Sequence, residues 1–314
     1  MAQFKILVSD SLSEEGLAVL KAEPQLEVTV KTGMNPEELA NFVGPFHGLI
    51  VRSASKVTAA VVEKAHNMKV IGRAGSGVDN IDVPAATAKG IVVQNAPGAN
   101  SASAAELAIA MMFSVARHTA RGTCGIKKGL WEKKQLEGVE VGHKTLGVIG
   151  LGAIGSITAD YGRGLHMTVL GYDPFVTKKD GVTMVSLDEL LAKSDYITLH
   201  VGLNDKTRGM IGAAQFARMK DGVILINCAR GGIVDEKALV DALKSGKVRG
   251  AGVDVFEKEP VAADHPLLGL DNVVLTPHIG ASTIEAQLRV GIMTAEQVRD
   301  FLLKGENRNA VNKI

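Results

Sequence analysis

The stretch TLGVIGLGAIG, residues 145–155, decides the fold class of this chain. Its first part, Thr145–Ile149, is short, mostly apolar and typical of a parallel strand covered on both faces. The glycine-rich turn GLGAIG, residues 150–155, comes next and is followed by a helical pattern. In such a turn the first glycine allows a tight bend, the second lets the backbone approach a pyrophosphate, and the third lets the helix pack on the strand. The stretch therefore predicts a dinucleotide-binding α/β domain.

A carboxylate stands where such a domain selects its nucleotide. Asp173 lies just past the next predicted strand, Met167–Leu170, roughly 20 residues beyond the glycines. An acid at this place can accept hydrogen bonds from both ribose hydroxyls and repels a 2′-phosphate, so we expect NAD as the cofactor. Two simpler interpretations stay open. The glycines form a tight turn without a ligand, or Asp173 opens an ordinary turn before Pro174.

Strands and helical patterns alternate on both sides of the glycine turn. The earlier predicted strands are Lys5–Val8, Leu26–Val30, Gly48–Val51, Lys69–Ile71 and Ile91–Val93. The later ones are Thr145–Ile149, Met167–Leu170, Tyr196–Leu199, Val223–Ile226, Gly250–Val253 and Val273–Leu275. Predicted helices include Glu14–Lys21, Thr58–Ala65 and the long apolar Ala102–Ala116. This alternation predicts two sets of βαβ units, each building a parallel sheet.

The last predicted helix runs from Thr283 to about Leu303. Ser282 and Glu285 predict a capping box at its start. An apolar stripe follows the helical period and consists of Ile284, Leu288, Ile292, Ala295, Val298 and Leu302. Because such a stripe must pack on another element, we expect this helix to return to the first domain.

Composition narrows the class of protein. The 314 residues are 46% hydrophobic and 22% charged, which suits two domains with cores of their own. The formal net charge of +1 argues against a nucleic-acid partner. No apolar run approaches the roughly 20 residues of a transmembrane helix, and the first residues lack a signal-peptide pattern. Cys124 and Cys228 have no ligand-type spacing, so we expect no metal site, no disulfide and a cytoplasmic location.

Three polar side chains follow the last predicted strands. Arg230 lies in NCARGG (227–232), Glu259 in DVFEKEP (254–260) and His278 in TPHIG (276–280). Open α/β sheets bind ligands beyond the carboxyl ends of their strands. Hydride transfer at a 2-keto acid needs a cation for the carboxylate and a proton donor for the developing alkoxide. An arginine and a histidine supply these, and a carboxylate behind the histidine orients the ring.

Each of these residues taken singly has a structural alternative. Arg230 fits a solvated loop arginine, Glu259 a surface acid, and His278 a residue that precedes and caps a helix. The remaining histidines, His265 among them, have no comparable context and are predicted to be surface or core residues.

Further segments make the family of the chain recognisable. They are GLIVRS (48–53), GRAGSGVDN (72–80) and NAPGANS (95–101), together with the three segments quoted above. In these segments the chain resembles the D-isomer-specific 2-hydroxyacid dehydrogenases, and among them the phosphoglycerate dehydrogenase branch, along nearly its whole length. The resemblance implies an α/β fold of two doubly wound parallel-sheet domains: a discontinuous, flavodoxin-like substrate domain and a Rossmann NAD-binding domain. The implied domain boundaries are residues 1–98 for the substrate-binding domain and residues 99–284 for the NAD-binding domain. Residues 285–314 are the implied C-terminal helix that returns to the substrate-binding domain.

The resemblance also implies roles for individual residues. Arg230 binds substrate, His278 is the acid/base and Glu259 is its partner, which together form the catalytic set. The implied cofactor-binding residues are Ser76, Gly150, Gly152, Ala153, Ile154, Gly155, Asp173, Val201, Cys228, Ala229, Arg230, Asp254, His278 and Gly280. The implied substrate-binding residues are Arg52, Ala74, Gly75, Asn100, Arg230 and His278.

The implied reaction is NAD-dependent oxidation of D-3-phosphoglycerate to 3-phosphohydroxypyruvate, the first step of serine biosynthesis. A glyoxylate/hydroxypyruvate reductase or a D-lactate-type dehydrogenase would use the same catalytic set. A non-enzymatic alternative is an NAD-sensing corepressor, which should carry extra interaction segments. The expected partners are a small 2-hydroxy or 2-keto acid and further copies of the chain in a homodimer or homotetramer, with no membrane and no nucleic acid. The basic stretch 127–134 around Trp131 is predicted to be a subunit interface that attracts anions.

Three departures from the family pattern stand out. Ala153 replaces a basic residue inside the glycine turn, which removes one expected pyrophosphate contact. His200-Val201-Gly202 replaces His-Thr-Pro and loses a hydroxyl near the cofactor. The sequence stops at Ile314, where longer relatives continue into regulatory domains. We expect a short form, and whether it is natural or shortened stays open.

Overall fold

The computed structural model describes residues 3–314; Met1 and Ala2, which the predicted first domain includes, lie outside the described residues. The chain divides into two compact units. One consists of the residues up to Asn100 together with Ala281–Ile314, and the other of Ser101–Gly280. Each unit contains a parallel sheet with helices between its strands, which confirms the predicted α/β fold class. The functional roles of the three predicted segments stay a prediction.

The first unit has a five-stranded sheet. Its strands are β1 (Phe4–Val8), β2 (Leu26–Val30), β3 (Gly48–Val51), β4 (Val70–Arg73) and β5 (Val92–Asn95). The helices between them are α1 (Glu14–Lys21), α2 (Pro36–Phe42), α3 (Ala59–Lys64) and α4 (Val83–Ala88). The strand order is β2-β1-β3-β4-β5, and every neighbouring pair is parallel. This order is the flavodoxin-like one, in which ligands bind where the chain changes direction between β1 and β3.

The second unit has a seven-stranded sheet. Its strands are β6 (Thr145–Ile149), β7 (Thr168–Tyr172), β8 (Thr183–Met184), β9 (Tyr196–Leu199), β10 (Val223–Asn227), β11 (Val248–Val253) and β12 (Val273–Leu275). Its helices are α5 (Ser101–Ala116), α6 (Thr119–Lys127), α7 (Ala153–Gly164), α8 (Leu187–Lys193), α9 (Ala213–Arg218) and α10 (Glu236–Lys244). The order is β12-β11-β10-β9-β6-β7-β8, so the chain changes direction between β6 and β9. Strand β8, which is only two residues long and pairs with β7, was not predicted from the sequence.

Helix α11 (Ile284–Lys304) packs on α1 and on strands β3, β4 and β5 of the first unit. The predicted capping box is wrong, because Thr283 is the N-cap and its Oγ1 accepts from the N–H of Ala286 at 3.1 Å. The predicted stripe is partly wrong, since Ile284 is 85% exposed. The helices approach so closely that a Cβ on Gly16 would lie 2.8 Å from the carbonyl carbon of Gly291. Small residues therefore determine which faces of α1 and α11 pack together, and a pattern of apolar residues does not reveal them.

The segment after α11 closes one edge of the first sheet. Gln94 of β5 forms an antiparallel bridge with Ala310. The N–H of Val311 donates to the carbonyl of Val93 at 2.8 Å, and Asn312 Oδ1 accepts from the N–H of Val93 at 2.8 Å. The edge strand β5 thus gains hydrogen-bond partners from the segment that follows α11. Within residues 3–314, no helix combines the length and apolar character needed to cross a bilayer.

Candidate active site

The glycine turn follows β6 and leads into α7. Gly150 has a φ of +91°, and a Cβ on Gly155 would lie 1.8 Å from the carbonyl oxygen of Gly150. The fold itself therefore requires these two glycines. Gly152 differs, because its φ is −66° and a Cβ there would meet no atom of residues 101–280 within 4 Å, chain neighbours aside. The turn thus keeps open space beside the N-terminus of α7, which carries no side-chain cap and suits a pyrophosphate.

Asp173 follows β7 and is tied to this turn. Its Oδ2 accepts from the N–H of Leu151 at 2.7 Å. Its Oδ1 accepts from the N–H groups of Phe175 (2.8 Å) and Val176 (3.1 Å). The turn-opening interpretation is thus correct for Oδ1. The carboxylate also fixes a negative charge beside the glycine turn, where the ribose of a dinucleotide is expected.

His200 and Val201 follow β9, on the other side of the point where the chain changes direction. A Cβ on Gly150 would lie 2.7 Å from the carbonyl oxygen of His200 and 2.8 Å from Cγ1 of Val201. Val201, a predicted cofactor residue, therefore lies beside the glycine turn. His200 Nε2 is 3.0 Å from Oγ1 of Thr198, and burial lowers the pKa of His200 to about 4. Its ring is therefore neutral near pH 7.

Arg230 lies in a turn after β10. The buried Asn227 holds this turn, because its Nδ2 donates to the carbonyl of Arg230 at 3.1 Å and its Oδ1 accepts from the N–H of Ala229 at 3.1 Å. The guanidinium Nη1 of Arg230 donates to the carbonyl of Ala229 at 2.7 Å. A Cβ on Gly231 would lie 1.8 Å from the carbonyl oxygen of Phe256. The Arg230 turn therefore packs directly on the loop that follows β11.

Glu259 and His278 meet across two neighbouring loops. The Nδ1 atom of His278 is 2.7 Å from Oε2 of Glu259, and Oε1 of Glu259 accepts from the N–H of Phe256 at 3.0 Å. The His278 side chain is 46% exposed. A carboxylate at Nδ1 holds the ring in one orientation and leaves Nε2 for proton transfer.

Asp254, at the end of β11, anchors the loop that carries His278. It is fully buried, and its Oδ1 accepts from Oγ1 of Thr276 (2.6 Å) and the N–H of Ile279 (2.8 Å). Its Oδ2 accepts from the N–H of Gly280 at 3.0 Å. Burial raises the pKa of Asp254, while these hydrogen bonds oppose the rise. They hold His278 at a φ of +53°, a conformation that few non-glycine residues adopt.

Cys228 and Asp254 were both predicted to bind the cofactor. Burial, with the charge of Asp254, raises the pKa of the Cys228 thiol, and its Sγ lies 3.4 Å from Sδ of Met111. Cys228 is therefore a neutral thiol packed against α5. The contact of either residue with a cofactor stays a prediction.

In the first unit, Arg52 follows β3 and extends from a braced loop. Asp10, which is 6% exposed, accepts at Oδ2 from the N–H groups of Arg52 (2.5 Å) and Ser55 (3.1 Å). Asn80 Nδ2 donates to the carbonyls of Arg52 (2.6 Å) and Ser55 (2.7 Å). The guanidinium Nη1 donates to Oγ of Ser11 at 3.0 Å. The backbone under Arg52 is therefore held on both sides.

The other predicted residues of this unit follow β4 and β5. Ser76 Oγ donates to Oδ1 of Asn100 at 2.6 Å, which joins the two loops. Gly75 has a φ of +151°, and a Cβ there would lie 1.5 Å from Nη1 of Arg73, so only glycine fits. Ala74 is 3% exposed and its N–H donates to the carbonyl of Val51 at 2.8 Å, so its contact with substrate stays a prediction.

No role was predicted from the sequence for Asp10, Asn80, Asn227 or Thr276. All four are polar residues that brace a loop carrying a predicted site residue. Two of them could have been noticed in the sequence, because Asp10 and Asn227 are polar residues at the ends of apolar strands. The partners of Asp10, Asn80 and Thr276 lie far away in sequence, so only the fold shows what these three residues hold, whereas Asn227 braces its own turn.

In the second unit, the glycine turn, Asp173 and the loops after β10, β11 and β12 all lie at the carboxyl edge of one parallel sheet. These features define the class of α/β dinucleotide-binding proteins. Residues 109–280 match the family model described as the D-isomer specific 2-hydroxyacid dehydrogenase NAD binding domain. The chain belongs to the D-isomer-specific 2-hydroxyacid dehydrogenase family and carries its NAD-binding domain.

Two curated relatives illustrate the range of the family. A D-3-phosphoglycerate dehydrogenase from Archaeoglobus fulgidus is 53% identical over 312 residues, which is 98% of this chain and 59% of that protein. A hydroxypyruvate reductase from Thermotoga maritima is 48% identical over 301 residues, which is 95% of this chain and 98% of that protein. The chain spans 56% to 59% of the length of three phosphoglycerate dehydrogenases that it matches.

Solved structures agree with the fold. A glyoxylate reductase from Paecilomyes thermophila superposes with a TM-score of 0.88 at 32% identity, covering 99% of this chain and 98% of that one. A D-lactate dehydrogenase from Aquifex aeolicus, solved with NAD and lactic acid, gives a TM-score of 0.85 at 32% identity, covering 98% and 99%.

Proposed function

We propose that this protein is an NAD-dependent dehydrogenase that oxidises D-3-phosphoglycerate to 3-phosphohydroxypyruvate. The observation that carries the proposal is the 2.7 Å contact between His278 and Glu259 at the carboxyl edge of the NAD-binding domain, with Arg230 after a nearby strand. The relatives named phosphoglycerate dehydrogenase, at 46% to 53% identity over 98% of this chain, support this choice of substrate.

In this reaction NAD, when bound, supplies the hydride acceptor for C2 of the hydroxy acid. His278 Nε2 takes the proton of the C2 hydroxyl as the carbonyl forms, and it returns this proton in the reverse direction. The Glu259 carboxylate at Nδ1 stabilises the imidazolium that results. The Arg230 guanidinium pairs with the substrate carboxylate through two parallel hydrogen bonds and sets the orientation of C2.

The residues around the glycine turn fit the cofactor. The space beside Gly152 and the uncapped first turn of α7 would receive the pyrophosphate, and Asp173 the adenosine ribose. Ala153 and Ile154 contribute the backbone of that first helical turn. Val201, Ala229 and Gly280, which were also predicted to contact the cofactor, lie in loops at the same carboxyl edge of the sheet.

We assign the substrate phosphate to the cation on the first unit, Arg52. A substrate with both a carboxylate and a phosphate needs more cationic groups than Arg230 alone. Arg52 supplies such a group on a backbone braced by Asp10 and Asn80. A braced arginine loses less freedom on binding an anion than one on a mobile loop.

The second candidate function is hydroxypyruvate reduction. The Thermotoga maritima relative with that name matches 95% of this chain at 48% identity. The proposed catalytic set would serve either reaction, since both transfer a hydride at C2 of a 2-keto or 2-hydroxy acid. The experiment that separates the candidates is steady-state oxidation of NADH with 3-phosphohydroxypyruvate, hydroxypyruvate, glyoxylate and pyruvate. The highest kcat/KM for the phosphorylated substrate supports the proposal. A preference for hydroxypyruvate supports the second candidate. NADH binding without turnover of any substrate indicates a binding protein.

We also propose that the protein assembles into a homodimer or homotetramer. Three large apolar side chains of the second unit are exposed around the basic stretch 127–134: Ile126 at 58%, Leu130 at 49% and Trp131 at 83%. Exposed apolar groups of this size, flanked by lysines, are typical of an interaction surface. Light scattering coupled to size-exclusion chromatography measures the mass, and a monomer at micromolar concentration would refute this assignment.

A further inference from the structure

The loop that carries Glu259 is anchored by a second acid, Glu236. Glu236 is the first residue of α10, and its Oε1 accepts from the N–H of Glu257 at 2.7 Å. Its Oε2 is 2.9 Å from Nε2 of His265. One side chain therefore holds the two ends of the loop 257–265. Glu259 lies inside this loop, two residues beyond the first anchor.

The hydrogen bonds of His265 fix which ring nitrogen carries the proton. Its Nδ1 accepts from the N–H of Leu267 at 3.3 Å, so Nε2 carries the hydrogen and donates to Glu236. The ring also packs edge-on against Phe256, with centroids 5.7 Å apart. The His265 and Glu236 side chains are only 15% and 21% exposed. Protein atoms therefore cover most of both side chains.

The Glu259 carboxylate depends on this anchor for its place. Its Oε1 is held by the N–H of Phe256, and Phe256 packs against Gly231 of the Arg230 turn. Its Oε2 is held by His278. If the backbone at Glu257 moved, Phe256 and Glu259 on its two sides would move with it. A displacement of about 1 Å is enough to break a 2.7 Å hydrogen bond.

We propose that Glu236 is a positioning residue for the acid/base pair. With His265 it holds the loop 257–265 so that the Glu259 carboxylate meets Nδ1 of His278. The inference rests on the proposed dehydrogenase function, since it assigns Glu236 a role in that reaction. It changes the interpretation of His265, which sequence analysis placed among the surface or core histidines.

The test compares Glu236→Ala and Glu236→Gln with a control on the same helix. Asp241→Ala is the control, because Asp241 forms an exposed pair with Lys237 and does not contact the loop. In Glu236→Ala we expect kcat to fall about ten- to a hundredfold, as small misplacements of catalytic groups do. The affinity for NADH, measured by fluorescence, should stay within about twofold, because the glycine turn is untouched. Glu236→Gln keeps an oxygen for the N–H of Glu257 and should retain more activity than Glu236→Ala.

A double mutant separates positioning from general loss of stability. If Glu236 acts through Glu259, adding Glu236→Ala to Glu259→Gln should lower kcat no further than about twofold. Multiplied losses would overturn the inference. So would a Glu236→Ala enzyme with wild-type kcat.

A spectroscopic measurement keeps this test independent of turnover. In protein labelled with ¹⁵N-histidine, the Nδ1 resonance of His278 reports its hydrogen bond to Glu259, and Glu259→Gln supplies the reference shift. Glu236→Ala should move this resonance toward the Glu259→Gln position, whereas Asp241→Ala should not. An unmoved resonance overturns the inference even if the enzyme is active. Absence of turnover in the wild type overturns the proposed function and leaves this measurement valid for the geometry.

Discussion

Oε2 of Glu259 lies 2.7 Å from Nδ1 of His278, although the two residues follow different strands of the second unit. Two separate anchors bring them together. Asp254 holds the loop of His278 through Thr276, Ile279 and Gly280, and the N–H of Phe256 holds the second oxygen of Glu259. Contacts within the second unit therefore orient the pair in a way that suits proton transfer.

Replacing His278 with Ala removes the proposed proton donor. We expect kcat for keto-acid reduction to fall about 10²- to 10⁴-fold, the usual contribution of general acid catalysis. NADH binding should be nearly unchanged, because the glycine turn and Asp173 lie elsewhere on the sheet edge. Fluorescence titration with NADH checks the binding, and stopped-flow turnover checks the rate. A variant with wild-type turnover would remove His278 from the mechanism.

Replacing Glu259 with Gln should lower kcat at least as much as Glu236→Ala does, though less than His278→Ala, and it should also change the pH dependence. Reduction of a keto acid needs His278 in its protonated form, so the rate falls as the pH rises. The carboxylate favours the imidazolium, and the neutral amide of Gln does not. The fall should therefore begin at a lower pH in the variant. Profiles of kcat/KM against pH measure the midpoint, and coincident profiles for variant and wild type would refute the pairing.

Gly152 and Gly155 should respond in opposite ways to a methyl group. At Gly155 a Cβ would lie 1.8 Å from a backbone oxygen, so Gly155→Ala should lower the free energy of unfolding by several kcal/mol or prevent folding. At Gly152 the Cβ enters space that is open within its own unit, so Gly152→Ala should keep the wild-type Tm. It should bind NAD more weakly, because the methyl group occupies the space proposed for the pyrophosphate. Calorimetric titration and thermal melts give both quantities, and unaltered NAD affinity in Gly152→Ala would move the pyrophosphate away from this turn.

Asp173 should make NAD the preferred cofactor over NADP. Its carboxylate is fixed beside the glycine turn and would repel a 2′-phosphate. Asp173→Asn removes the charge and keeps only one of the two acceptor oxygens, so its preference for NAD should shrink. Its Tm should fall modestly, because the amide NH2 group cannot accept from the backbone N–H that the second oxygen holds. The ratio of kcat/KM for the two cofactors is the measurement. An equal ratio in the wild type would contradict this role of Asp173.

The strands were the most predictable part of the fold. Leu26–Val30, Gly48–Val51, Tyr196–Leu199 and Val273–Leu275 have the predicted bounds, because apolar runs between polar or glycine breaks define buried parallel strands. Strands β5 and β10 continue further, to Asn95 and Asn227, because backbone pairing does not stop where side chains become polar. Because these strands are longer than the apolar runs, the site residues that follow them lie closer to the strand ends than the sequence predicted.

The parts that sequence analysis missed depend on pairs distant in sequence. Glu236 and His265 face each other only after α10 and the loop that follows β11 have packed together. Asp10 and Arg52 meet because β1 and β3 are neighbours in the sheet. Motifs identify residues whose chemistry is local or recognisable by type. Residues that hold those motifs in place are identified by the fold.

The phosphate of the substrate should depend on Arg52. Hydrogen bonds to a charged group contribute about 1.5–3 kcal/mol, which corresponds to roughly one to two decades in kcat/KM. Arg52→Ala should therefore lose that much with 3-phosphohydroxypyruvate and little with hydroxypyruvate. Asn80→Ala, which removes the brace under the same loop, should cause a smaller loss of the same kind, because the guanidinium then extends from a freer backbone.

The comparison between the two substrates distinguishes this role from a structural one. Damage to the fold would reduce activity with both substrates equally, whereas loss of a phosphate contact affects only the phosphorylated one. Arg52 Nη1 also donates to Oγ of Ser11 at 3.0 Å and to its carbonyl at 3.3 Å, so Ser11→Ala serves as a control that removes only the hydroxyl partner and leaves the charge. Equal losses on both substrates in Arg52→Ala would assign Arg52 a structural role. A wild type that prefers hydroxypyruvate would instead place the protein among the hydroxypyruvate reductases, and the phosphate would then have no part in its specificity.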